Sequence, residues 1–131
     1  MANERTDFGE NAVFDYFYRP GATAPTRPTS MKVCLLTAIT TAETGAVTEA
    51  SYAGYAAQDA GFGALDASGV GANAAQINFA AVAGGPITVV GHALKDHLGN
   101  FYDVKALASS VTYQTGDIPF IAAGALTHTE G

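Results

Sequence analysis

Residues 86–107 pair two stretches of opposite patterning around a polar turn. Residues 87–94 are apolar on both faces, with Ile87, Val89 and Ala93 predicted on one side and Val90 and Leu94 on the other. A strand of that kind has protein above and below it, so it reads as central. Residues 95–100 (KDHLGN) are polar, and Gly99-Asn100 tolerates the positive φ of a tight turn. The returning stretch alternates, with Tyr102, Val104 and Ala106 predicted on a core face and Asp103 and Lys105 in water. The pattern predicts a central β-hairpin.

Before it, residues 1–8 read as a loose polar arm. Residues 7–19 then take helical spacing: Val13 and Phe17 stand four apart, as do Phe14 and Tyr18, making one apolar stripe. Asp7 with Glu10 three residues on resembles an N-terminal cap, and Pro20-Gly21 stops the helix. The stripe is expected to pack against the domain's own sheet, with docking onto a neighbouring subunit as the alternative. Residues 21–30 form an extended Pro-rich connector. Strands are predicted at 31–37, 51–62, 75–80, 111–114, 118–122 and 125–129, with a polar loop at 40–50 and a turn-rich stretch at 63–73. Tyr52 and Tyr55, three apart on a strand, should face opposite ways. The predicted fold is all-β, a β-sandwich or jelly-roll-like single domain with an N-terminal arm and short helix. Residues 1–30 form the arm, and residues 31–131 the sandwich.

Composition qualifies the core. The 26 alanines and 15 glycines bury little area each, and burial stabilises by about 25 cal/mol per Å². Cohesion therefore rests on larger residues such as Phe14, Phe17, Leu35, Leu36, Ile77, Phe79, Leu94, Phe120 and Leu126. A lean core makes oligomerisation a further source of burial. Charge is unevenly placed: residues 1–32 balance four basic groups (Arg5, Arg19, Arg27, Lys32) against four acids, and the remainder sets two lysines against eight acids. An acidic body repels phosphate, which argues against nucleic acid as a partner. No run approaches the roughly 18 apolar residues of a membrane span, and the polar start does not read as a signal peptide, so folding in a reducing cytoplasm is expected.

Candidate chemistry is sparse. Cys34, the lone cysteine, sits in an apolar run and reads as a small buried hydrophobe. The Gly-x-Gly pieces at 61–63 and 69–71 complete no nucleotide fingerprint. His92, His97 and His128 lack metal-ligand spacing, and Asp96 beside His97 reads as a surface turn. Asp59 and Asp66 flank a Gly-rich turn and read as turn formers rather than a hydrolytic carboxylate pair. Glu43 and Glu49 lack the calcium-loop pattern. No catalytic residue, cofactor or metal is predicted.

From Tyr55 onward, the chain resembles a family of small tailed-bacteriophage virion proteins, variously labelled tail fibre, minor tail or structural/decoration proteins. Tyr55-Ala56-Ala57-Gln58 followed by Phe62-Gly63-Ala64 is similar to the family's YARQ…FGA. The stretch from Asn73 to Phe79 resembles its NTAAITF-like strand, and the stretch from Thr88 to Asp96 its TVTHFGIFD-like strand. Gly99-Asn100 with Ala106-Leu107 resembles its GN…GAL. Thr115-Gly116-Asp117, Phe120 and the stretch from Ala123 to Thr127 resemble SGDTLSFAAGALT. Glu10-Asn11 with Asp15 resembles an ENxLLDH-like helix. The chain departs at Ala57, where the family has Arg, at Lys105, where it has Gly, and at Pro119, so no Arg-based contact carries over.

The resemblance implies a β-rich, non-enzymatic component of the virion. A fibre needs length from a coiled coil, a β-helix or repeats, and this sequence shows none of them. The favoured expectation is therefore a capsid decoration (cement) protein, bound to the major capsid protein as a homo-oligomer such as a trimer. A tail-fibre, tail-tip or minor tail protein bound to tail proteins is the alternative, and a surface carbohydrate-binding module ranks below both. The expected interaction residues are Phe14, Phe17, Tyr18, Arg19 and Arg27.

Overall fold

The computed structural model describes residues 4–19, 21 and 28–129. Its frame is an antiparallel sheet built on the predicted hairpin. Strand β1 (Glu4–Arg5) is followed by helix α1 (Asp7–Tyr18) and β2 (Met31–Thr41). Then come β3 (Ala46–Glu49), β4 (Gln58–Asp59), β5 (Val70–Ala72) and β6 (Ile77–Asn78). The hairpin is β7 (Ile87–Asp96) and β8 (Phe101–Tyr113), and β9 (Phe120–Ile121) and β10 (Thr127–Thr129) complete the chain. The main sheet runs β1-β8-β7-β2-β3, with β4 also on β2. Two ribbons, β5–β10 and β6–β9, lie outside it. The fold is an all-β single domain with one N-terminal helix. The layer facing the sheet is built of ribbons and loops rather than a second full sheet.

Both faces of the sheet are covered, as the apolar run in β7 requires. On one face Val33 and Leu35 of β2 and Val89 and Leu94 of β7 meet Ile77, Phe79, Ile121 and Leu126. On the other, Cys34, Leu36, Ala93 and Val104 form a smaller cluster. The face assignment predicted for β7 changes halfway along. Ile87 and Val89 share a face with Leu94, while Val90 joins Ala93. The cause is a bulge, since Val89 pairs with Val111 and Gly91 with Ala106. An unequal count of residues between paired positions puts two successive side chains on one face.

Several predicted elements differ. Residues 4–5 are not loose: they add a strand to the outer edge of β8, Glu4 opposite Val104 and Arg5 opposite Asp103. The helix cap is Thr6 rather than Asp7, its hydroxyl accepting from the Gly9 amide at 3.1 Å. The loop at 40–50 contains β3. Residues 51–62 are mostly irregular, with only β4 in strand form. There Tyr52 and Tyr55 do not diverge. A turn brings their rings to 5.3 Å, and both pack on the larger core. The strand predicted at 111–114 is the far end of β8. Pro20, Arg27 and most of the Pro-rich connector lie outside the described residues.

Candidate interaction face and cleft

Helix α1 lies against β8 through its smallest residues. Gly9 and Ala12 are buried, and Phe8 meets Tyr102 edge to face at 5.2 Å. Thr6 anchors the helix start, its amide donating to the Tyr102 carbonyl at 2.8 Å and its hydroxyl donating to the Phe101 carbonyl. The Asp7 amide reaches the Glu43 carbonyl at 2.6 Å.

The predicted stripe is therefore split. Val13 is half-buried, but Phe14, Phe17 and Tyr18 are 54%, 69% and 70% exposed, and Tyr16 joins them. The expectation that the stripe packs on the domain's own sheet does not hold, nor does the placement of Phe14, Phe17 and Phe120 in the core. Docking by residues as small as Gly9 and Ala12 brings the helix axis close to the strand, and the larger side chains point outward. The exposed rings pack on one another, Phe14 with Tyr18 at 5.6 Å and Tyr16 with Phe17 at 4.9 Å. Arg19, also exposed, pairs with Asp15 at 2.8 Å within the helix. Arg27 is outside the described residues.

Beside this helix is a cleft of about 350 Å³ that sequence reasoning missed. Its walls include Val13, Met31, Phe62, Leu65 and Leu94, with Arg5, Asp103 and His128 among the polar groups. Asp103 was expected in water, yet its side chain is only 9% exposed. Asp103 lies on the larger-core side of β8, opposite Leu94 of β7, and β1, beside it in the sheet, and β10 each supply a partner. His128 Nδ1 stands 3.0 Å from Asp103 Oδ2, and Arg5 Nη2 stands 3.2 Å from His128 Nε2. Arginine only donates, so Nε2 accepts and Nδ1 carries the proton to Asp103. Arg5 Nε lies 3.8 Å from Asp103 Oδ1, beyond hydrogen-bond reach, and that buried oxygen has no hydrogen-bond partner. The sequence signal for this cluster was weak: Arg5 comes from one end of the chain, and Asp103 and His128 from separate strands near the other.

Other candidates are structural. Asp96 forms the hairpin turn, its Oδ1 accepting from the Leu98 and Asn100 amides at 2.9 Å each. Burial alone would raise its pKa, but those bonds and the Asn100 side chain together hold it below the usual value. Glu49 accepts from Lys95 at 2.6 Å and from the Tyr55 hydroxyl at 2.7 Å. Burial pushes the Cys34 thiol up to about 12, with Glu49 adding to the shift. His92 is lowered to about 4, first by burial and then by Lys105. Asp66 caps its own turn, accepting from the Ser68 and Val70 amides. Among the described residues, no three of His, Cys, Asp or Glu gather as a metal-holding group, and no helix is long and apolar enough to cross a membrane.

The family model of the Podophage GP4 fiber I protein gp80 matches residues 4–129. The chain belongs to that family. No curated protein matches it. The family match takes in the helix, the residues that line the cleft and both ribbons. It also bears out the resemblance to phage virion proteins.

Proposed function

We propose that this chain is a fibre component of a phage virion, present in several copies and working by contact rather than catalysis. The family match over residues 4–129 carries the reading, because it takes in the whole folded unit and not one shared segment. It favours the fibre role over head decoration, the expectation drawn from the chain's compactness. The exposed face of α1 supports a role in contact: four neighbouring aromatic side chains in water are costly unless a partner covers them. The acidic surface makes another protein a better partner than nucleic acid.

Antibody labelling of purified virions, with copy number from quantitative gels, tests the role. The fibre reading expects label on the tail appendages and tens of copies per particle. Label spread over the head, with several hundred copies, would overturn it in favour of decoration.

A further inference from the structure

We infer that the exposed aromatic face of α1 packs against the same face of a second copy of this chain, joining copies in pairs. The inference rests on the reading that the chain acts in several copies, and it names the surface through which they join.

The last turn of α1 is left uncovered by its own chain. Ala12 and Tyr16 stand four apart and so share a side of the helix, yet Ala12 is buried and Tyr16 is 60% exposed. The helix therefore runs past the part of β8 that covers its first turns. Phe14, Phe17 and Tyr18 occupy the other sides of that end, and each is more than half exposed. A helix end apolar on this many sides is stable only when it is buried. Aromatic side chains bury about 150–250 Å² each, so these four rings together present about 500 Å² to water. Two such faces laid together remove about 1,000 Å², the least a specific interface needs.

Shape and charge point to an identical copy as the partner. A pair about a two-fold axis needs one patch that fits itself. Aromatic rings do so, because any two can meet tilted or edge to face, as Phe14 with Tyr18 and Tyr16 with Phe17 already do. Residues 1–32 balance four basic groups against four acids, whereas the rest of the chain sets two lysines against eight acids. A basic partner would be drawn to that acidic body rather than to the helix. A second copy, acidic itself, is repelled by the body and approaches at least cost through the balanced segment. Asp15 and Arg19 neutralise each other within the helix, so its aromatic end carries no net charge to oppose that approach.

Sedimentation velocity on the purified full chain over a range of concentrations tests this, apart from where the protein sits in the virion. A monomer–dimer equilibrium is expected. It should hold or tighten as salt rises from about 0.05 to about 0.5 M, because screening removes repulsion between the acidic bodies and leaves apolar burial intact. Phe17→Ser should weaken the dimer by at least about 30-fold, the least a hot-spot side chain contributes. The Phe14→Ser, Phe17→Ser double variant should stay monomeric, and since both rings are exposed in the single chain, circular dichroism should show its fold intact. Ile118→Ser with Phe120→Ser removes the exposed apolar pair on and beside β9 and should leave the dimer unchanged. A chain monomeric at every concentration, a double α1 variant that dimerises normally, a dimer lost on raising salt, or a dimer lost with the β9 pair would each overturn the inference. A monomeric chain that still labels the tail appendages would sink this pairing alone and leave the fibre reading standing.

Discussion

Gly9→Ala sets two effects against each other, and the structure decides between them. Gly9 lies inside α1, where alanine is favoured over glycine by about 1 kcal/mol. On helix propensity alone, the variant should be more stable. Yet a Cβ at this position would stand 2.6 Å from the Tyr102 carbonyl oxygen, 3.2 Å from Tyr102 Cα and 2.9 Å from Arg5 Cγ. The Arg5 methylene could turn away, but the carbonyl cannot, because it accepts the Thr6 amide at 2.8 Å and belongs to β8. Forcing a methyl group into such a contact costs about 2–3 kcal/mol, in the upper range for overpacking. The net expectation is a loss of about 1–2 kcal/mol, the overpacking cost less the propensity gain. In a domain of this size that lowers Tm by about 3–8 °C. Urea unfolding followed by circular dichroism measures the loss, with Asn11→Ala, exposed on the same helix, as a control that should gain slightly. Amide exchange should show α1 opening more readily than β7. A Gly9→Ala protein stabilised as much as the control would refute the close approach of α1 to β8.

Tyr55→Phe removes a hydroxyl that accepts from the buried Leu35 amide at 3.1 Å and donates to Glu49, so it should cost about 1–3 kcal/mol in urea unfolding; an unchanged midpoint would count against that bridge. His92 is held neutral with its pKa lowered to about 4, against an ordinary 6.5, so between those values the unfolded state binds more protons than the folded one. Stability should therefore fall as pH drops from about 6.5 toward 4, and His92→Gln should flatten that slope; an identical slope in the variant would assign it to other groups. Cys34 is fully buried with its pKa pushed up to about 12, so a thiol reagent at neutral pH should label it only once the chain unfolds, and rapid labelling of the native protein would contradict that burial.

The hairpin was legible because its signals are local. Val33 and Leu35 alternate with Cys34 and Leu36 as period two demands, and Gly99, with φ near 88°, makes the turn its sequence announced. The helix was legible for the same reason; Asp96 was placed in the turn as a surface residue, and the structure instead buries it beneath the turn it bonds to. Residues 51–62 were not: Tyr52 and Tyr55 satisfy strand patterning, but their hydroxyls bond to the Ala80 carbonyl and to Glu49, and that holds a turn in place. The aromatic stripe of α1 was read as a core face because spacing reports that residues share a side, not what covers that side.

Sequence alone therefore determined an all-β domain, its central hairpin, its N-terminal helix and, through short motifs kept in order, a phage virion family. These follow from periodicity and turn chemistry, which act between residues a few positions apart. Tertiary structure alone decided which face of α1 is buried, because the choice of Gly9 and Ala12 as the contact depends on how near β8 can come. It also decided that Asp103 is buried. An acid in an alternating strand reads as solvent-facing until distant partners are placed, and here Arg5 and His128 arrive from the two ends of the chain. The cleft draws wall residues from both ends of the chain as well as from β8, and no local pattern encodes that meeting.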